Sequence, residues 1–359
     1  MPLSKIQTTN NQIVPNLGRR NLIINGAMKV AQRATSASGA SGYLTCDRFQ
    51  YNLVGTVGAS TVTQNTVTDL PGFTKSLKID VTTADASLAV SDRLTLCYKI
   101  EGQDLQQVAK GTSSAKELTL SFYIKATKTG TQIVELFDHD NTRHCAKSVT
   151  INSSNTWERK TITYPADTTG AFDNDNLQSL SIFFGIAVGT NFTSGTLATA
   201  WAANDNTNRF VGQVNHFDST SNNFEITGLQ LEVGGQATEF EHRSFQEELR
   251  LCERYFFKTY NYGATIGAAS GASFLIRFID GSHNYGSLQV PNIQMRSSPT
   301  RVIYNTSTGT AGQLRSDTQS HTAAITATDI HGGGCIYANN SQITTSQSIK
   351  AHLTMDAEL

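Results

Sequence analysis

The chain has 359 residues, 38% of them hydrophobic and only 16% charged, with a formal net charge of −1. That length suits two or three domains, and the balanced charge excludes the basic stripe on which nucleic-acid affinity rests. The longest apolar run, about nine residues from Leu180 to Val188, falls well short of the roughly 20 that a membrane-spanning helix needs, so membrane insertion is not expected.

The opening MPLSKIQTTNNQIV lacks the charged-then-apolar order of a secretory leader, and assembly in a cytoplasm is the expectation. Residues 1–20 are polar and without periodicity, as in an extended arm that anchors on a neighbour.

From Asn21 onward the signal is strand. In KELTLSFYIKA, Leu118, Leu120, Phe122, Ile124 and Ala126 alternate with Thr119, Ser121, Tyr123 and Lys125, which buries one face at period two. SLKIDV repeats the pattern, and LSIFFGIAV is apolar enough for a central strand. In FEITGLQLEV the parity changes at Thr227-Gly228; a bulge at Gly228 would restore the inward face. Roughly eight to ten strands fit this block, which predicts a sandwich or jelly roll over residues 21–243.

One helix follows. Ser244 with Glu247 three residues on reads as a capping box. Phe245, Leu249, Cys252 and Phe256 then fall on one helical stripe, which predicts a linking helix over 244–257. Residues 258–359 return to short strands between GASG, DGSHN and HGGG turns, as in a second, smaller β domain. The fold class expected is all-β.

Chemistry is sparse in the motifs. The five cysteines include no C-x-x-C pair and read as small buried hydrophobes. No serine has the spacing of a nucleophile elbow, and HGGG at His331 to Gly334 reads as a turn. DHDNTRH, Asp138 to His144, reads first as a polar hairpin loop; a metal site or a carboxylate pair for glycoside cleavage is the alternative. Asp173 and Asp175 read as loop residues, with calcium as the alternative. No catalytic residue, cofactor or metal ligand is expected. Trp157 and Trp201 read first as caps on the edge of the sandwich core, with stacking on sugar rings as the alternative. Tyr260, Tyr262, Tyr285, Tyr304 and Tyr337, set among Gly, Ser and Asn, have the mixture of a recognition surface.

Three stretches carry a resemblance. GRRNLIINGAMKVAQR (18–33) with Cys46-Asp47-Arg48-Phe49, TWERKTITYPADTTGAF (156–172), and HFDSTSNNFEITGLQLEVGGQATEFEHRSFQEELRLCERYF (216–256) resemble tail-fibre-type virion proteins of environmental bacteriophages. The resemblance implies a jelly roll similar to carbohydrate-binding modules, then a distal C-terminal domain facing the receptor, in a homotrimer without catalytic residues. It implies location in the virion. Read from the residues themselves, the arm 1–20 would attach to another virion protein, and Trp201, Tyr260, Tyr262, Tyr285 and Tyr337 are the candidates to bind host-surface glycan. Phe245, Leu249 and Phe256 would then face their symmetry mates in the trimer. A capsid decoration or head-fibre role is the alternative, and a polysaccharide depolymerase a third reading.

Overall fold

The computed structural model describes residues 19–270, 274–278, 285–289, 294–316, 322–324, 330–331, 335–339 and 348–359. The fold is all-β. Two antiparallel sheets pack face to face. One runs, in spatial order, through Ser36–Ser38, Ala59–Thr66, Lys75–Thr83, Asn223–Val233, Leu118–Ala126 and Glu158–Tyr164. The other runs through Ala202–Ala203, Arg143–Ile151, Gly130–Asp138, Gln178–Val188, Arg93–Glu101, Phe49–Val54 and Gly42–Tyr43. Successive strands cross repeatedly between the two sheets, which is jelly-roll connectivity.

The alternation read from the sequence is the alternation observed. Leu118, Leu120, Phe122, Ile124 and Ala126 all enter the core, with Leu180, Ile182, Phe184 and Ile186 from the facing sheet. The rings of Phe122 and Phe184 meet edge to face at 5.1 Å across the sandwich, and Tyr164 donates to Val134 O at 3.0 Å. Gly228 has φ +63°, and the register shifts between Thr227 and Gln230. This bulge turns Phe224, Ile226, Leu229 and Leu231 to one side, as the parity change requires.

The one α-helix, α1, spans Phe245–Glu253 and is capped by Ser244 Oγ, which accepts from Glu247 N at 3.2 Å. It is shorter than the spacing predicts. Phe256 and Phe257 leave it for a strand, Phe256–Lys258, paired with Asp356, Met355 and Thr354. Aromatic residues fit a pleated surface better than a helix end without tertiary cover, and the last strand supplies that surface.

That last strand, Ser348–Asp356, is the hub of a third sheet. It pairs with Phe256–Lys258, Phe274–Phe278, Thr300–Asn305 and Gln313–Ser316. The chain then returns to the sandwich. Arg33 donates to Asp356 Oδ2 at 2.9 Å, Arg48 pairs with Glu358, and Lys99 Nζ donates to Leu359 O at 2.5 Å. No helix among the described residues is long and apolar enough to cross a membrane.

Candidate functional site

The residues expected to bind glycan do not assemble into one surface. Trp201 is half-buried against the sandwich core, and its Nε1 donates to Pro165 O at 2.8 Å. Tyr260 is a correction: it is 5% exposed, stacked on His352 at 3.8 Å, with its hydroxyl accepting from Gly267 N. Tyr262 is half-buried where the sandwich meets the third sheet; its hydroxyl accepts from Ala31 N at 2.8 Å. Tyr285 and Tyr337 lie in neighbouring strands, Tyr285–Gln289 and Cys335–Asn339, and their side chains lie outside the described residues. Gly332 to Gly334 of the HGGG turn lie outside them too.

The helical stripe is also divided. Phe245 is 42% exposed and meets the Tyr262 ring edge-on at 5.0 Å; Leu249 is half-buried. Phe256 must be taken off the predicted oligomer face. It is 4% exposed, and the Arg33 guanidinium covers its ring at 3.8 Å.

DHDNTRH is a hairpin turn whose charged groups diverge. Asp138 is fully buried and accepts from Lys110 Nζ at 2.6 Å. Lys110 also reaches Asp167 Oδ2 at 3.0 Å and the carbonyls of Thr169 and Gly170. Asp140 accepts from Asp173 N. His144 points to the other side of its strand. Asp175 caps Leu177 N within its own loop. Among the described residues no group of three or more His, Cys, Asp or Glu is placed to hold a metal ion. Cys46, Cys97, Cys145 and Cys252 are buried free thiols, whose pKa values burial raises.

The surface with the most concentrated chemistry is the outer face of the seven-stranded sheet. Alternation turns Arg93, Thr95, Cys97, Lys99 and Glu101 away from the core, which takes Leu94, Leu96, Tyr98 and Ile100. Register aligns Cys97, Phe183, Glu135 and Ala146 in one row, and Lys99, Ser181, Phe137 and His144 in the next. At the centre, Glu135 is buried and accepts from Arg209 Nε at 2.8 Å, Arg209 Nη2 at 2.7 Å and His144 Nδ1 at 2.8 Å. A carboxylate held by three charge-assisted or polar donors is fixed in place. The Arg209 guanidinium lies 4.9 Å from the Phe137 ring and 5.5 Å from that of Phe183.

The segment 189–213 covers part of this face. Its Phe192, Leu197 and Phe210 pack on Cys97, Ile133, Ala146, Phe183 and Val188. What stays open is a strip of mixed chemistry. At one end Phe137 lies 4.7 Å from the exposed His139, whose Nε2 accepts from Gln178 Nε2 at 2.6 Å and sits 3.0 Å from Ser181 Oγ. At the other end stands Arg93. Arg209 arrives from a segment rich in Ala, Thr and Asn, 74 positions from its partner, so no local motif marks it; only the polar parity of RLTLCYKIE hints at this face.

No family model matches the sequence, and no curated protein matches it. Solved structures match part of the chain. A putative sugar-binding protein from Bacteroides thetaiotaomicron matches with 13% identity over 59% of this chain and 99% of that one, at a TM-score of 0.32. The carbohydrate-binding module TmCBM61, solved with β-1,4-galactotriose, matches with 8% identity over 60% and 99%, at 0.29. The enzymatically active domain of bacteriophage CBA120 tailspike protein 4 matches with 13% identity over 60% of this chain, at 0.30, and only 21% of the tailspike is spanned.

Proposed function

We propose that this chain is a structural protein of a bacteriophage particle: a tail-fibre-type appendage that attaches to the host surface by holding glycan, without catalysis. The observation that carries the reading is the outer face of the seven-stranded sheet. Half-buried aromatics, side-chain amides, a hydroxyl and cations are mounted there on a rigid sheet, over the buried Glu135–Arg209–His144 network. Sugar rings are recognised by such a mixture of flat apolar faces and fixed hydrogen-bonding groups. Asp138, from the stretch read as an alternative carboxylate pair for glycoside cleavage, is instead held by Lys110.

The resemblance of residues 18–33 and 216–256 to phage fibre proteins supports the same reading. In it the protein works as a homotrimer, with Phe245 and Leu249 of α1 against their symmetry mates and residues 1–20 docked on another virion protein. The test is cryo-electron microscopy of the intact particle together with a glycan array probed with the purified chain. Threefold density at the tail, with binding to host polysaccharide, is the expected result. Density on the capsid shell with no glycan bound would replace this reading with a decoration or head-fibre role.

A further inference from the structure

The open strip ends at Arg93, a cation with no ion pair among the described residues. Arg93 is half-buried, its guanidinium 5.0 Å from the Phe192 ring. Its Nε is buried with no hydrogen-bond partner, and among the described residues the side chain makes no ion pair. Both carboxylates within reach are engaged elsewhere. Asp92 accepts from Thr56 N and Ala89 N. Glu135 is taken by Arg209 and His144. Arg209 itself adds a second positive charge close enough to act on Arg93. Glu135 offsets part of that repulsion, but its oxygens are committed to Arg209 and His144. A partly desolvated guanidinium with an unbonded Nε is thus left under-compensated, and an anion arriving from solvent would relieve it.

The surroundings are apolar. Val54 is the direct cross-strand neighbour of Arg93 and is 43% exposed; Val90, in the turn before the strand, is 58% exposed. These are two of the four large hydrophobics left exposed among the described residues. Hydrogen bonds from Gly189 N to Asp92 O and from Asn191 N to Val90 O tie that turn to the segment carrying Phe192. An exposed apolar rim around a planar fork of donors matches a ring with an apolar face and a carboxylate.

We infer that this end of the sheet recognises a carboxylate-bearing sugar, so that the glycan bound is an acidic one, with Arg93 pairing with the carboxylate and Val54, Val90 and Phe192 meeting the ring. This rests on the glycan-binding reading above and narrows it to a substrate class.

The experiment is calorimetric titration of the full chain with galacturonate, glucuronate and sialic-acid oligosaccharides, each beside its carboxyl-reduced neutral counterpart and a sulfated neutral one. The expected result is that at least one acidic oligosaccharide binds tenfold or more tighter than its reduced form, with a preference that weakens as salt is added. Arg93→Gln should bring that affinity down to the neutral level while leaving the melting temperature unchanged. Arg93→Lys should keep only part of the preference, because a point charge lacks the planar fork. Equal binding of acidic and reduced forms, a preference kept by Arg93→Gln, or a preference for sulfate over carboxylate would overturn the inference and leave the glycan-binding reading standing. Binding to none of them, with none on the array, would overturn both.

Discussion

The Arg48 guanidinium lies 3.4 Å from the centre of the Tyr255 ring, and this stack joins the sandwich to the third sheet. Arg48 is 1% exposed. Its Nη2 donates to Lys99 O at 2.8 Å, and its Nη1 pairs with Glu358. Tyr255 in turn donates to Glu101 Oε1 at 2.5 Å, and Arg254 closes on the same carboxylate. Around this stack Asn25 N donates to Glu248 Oε1 at 2.5 Å, and Gln32 Nε2 bridges Asp47 Oδ2 and Phe256 O. Residues 21–33, 46–49 and 248–256, which lie within the stretches that resemble phage fibre proteins, therefore meet in space. They form the joint between the sandwich and the third sheet.

Among the described residues, removing the cation from this joint leaves the buried Glu358 carboxylate with only the longer Arg33 contact, at 3.4 Å. Arg48→Met should lower stability by about 3–5 kcal/mol, the range for breaking one side of a buried ion pair. The loss should appear first as release of the chain end. Urea unfolding together with hydrogen exchange at residues 351–359 checks it. Unchanged protection of those residues would show that Arg33 and Lys99 suffice to hold the end.

Trp201 is expected to matter for stability. Its Nε1–H is committed to Pro165 O, and Lys110 Nζ lies 5.3 Å from its ring, above the buried Asp138 and Asp167. Trp201→Ala should cost about 2 kcal/mol, below the range for fully buried tryptophans because the ring is half-exposed. Glycan affinity measured on the folded fraction should stay within twofold of the wild type. A large loss of affinity at unchanged melting temperature would return Trp201 to the binding surface.

Leu249→Asp tests the proposed trimer. On α1, Glu248 and Cys252 are buried while Phe245 and Leu249 stay partly or largely open. A charge at 249 should therefore leave each protomer folded and dissociate the assembly. Sedimentation velocity should show monomers with an unaltered circular dichroism spectrum. A stable trimer from this variant would place the symmetry contact elsewhere.

The sandwich was legible because its signals are local. Alternation over Leu118 to Ala126 and the parity change at Gly228 follow from which side of a strand each residue must face. The cap at Ser244 follows from three residues of spacing. The joint and the candidate surface were not legible, because their pairings are distant in sequence: Asn25 with Glu248, 223 positions apart, and Arg209 with Glu135, 74 apart. Phe256 misled for the same reason. Its helical spacing is real, but the strand that claims it lies at Asp356. Tyr260 looked like a surface aromatic because His352, which covers it, belongs to the far end of the chain.

Stability should fall on mild acidification through His216. The ring is 1% exposed; its Nε2 lies 3.1 Å from Gln132 Oε1, and its Nδ1 is buried without a partner. Burial holds its pKa down at about 4, against roughly 6.5 in an unfolded chain. The neutral form therefore stabilises the fold fully above about pH 6.5, and that contribution is lost as pH falls towards 4. Linkage puts the loss at about 2 kcal/mol by pH 4.5. Asp47 works in the opposite sense. Burial raises its pKa to about 6, so its protonation adds stability over an overlapping window as pH falls. The two are separated by comparing the wild type with His216→Gln in urea at pH 7 and pH 4.5. The variant should lose about 2 kcal/mol less than the wild type over that interval. An equal loss in both proteins would mean that the buried ring does not titrate in this range, and that the acid sensitivity arises elsewhere.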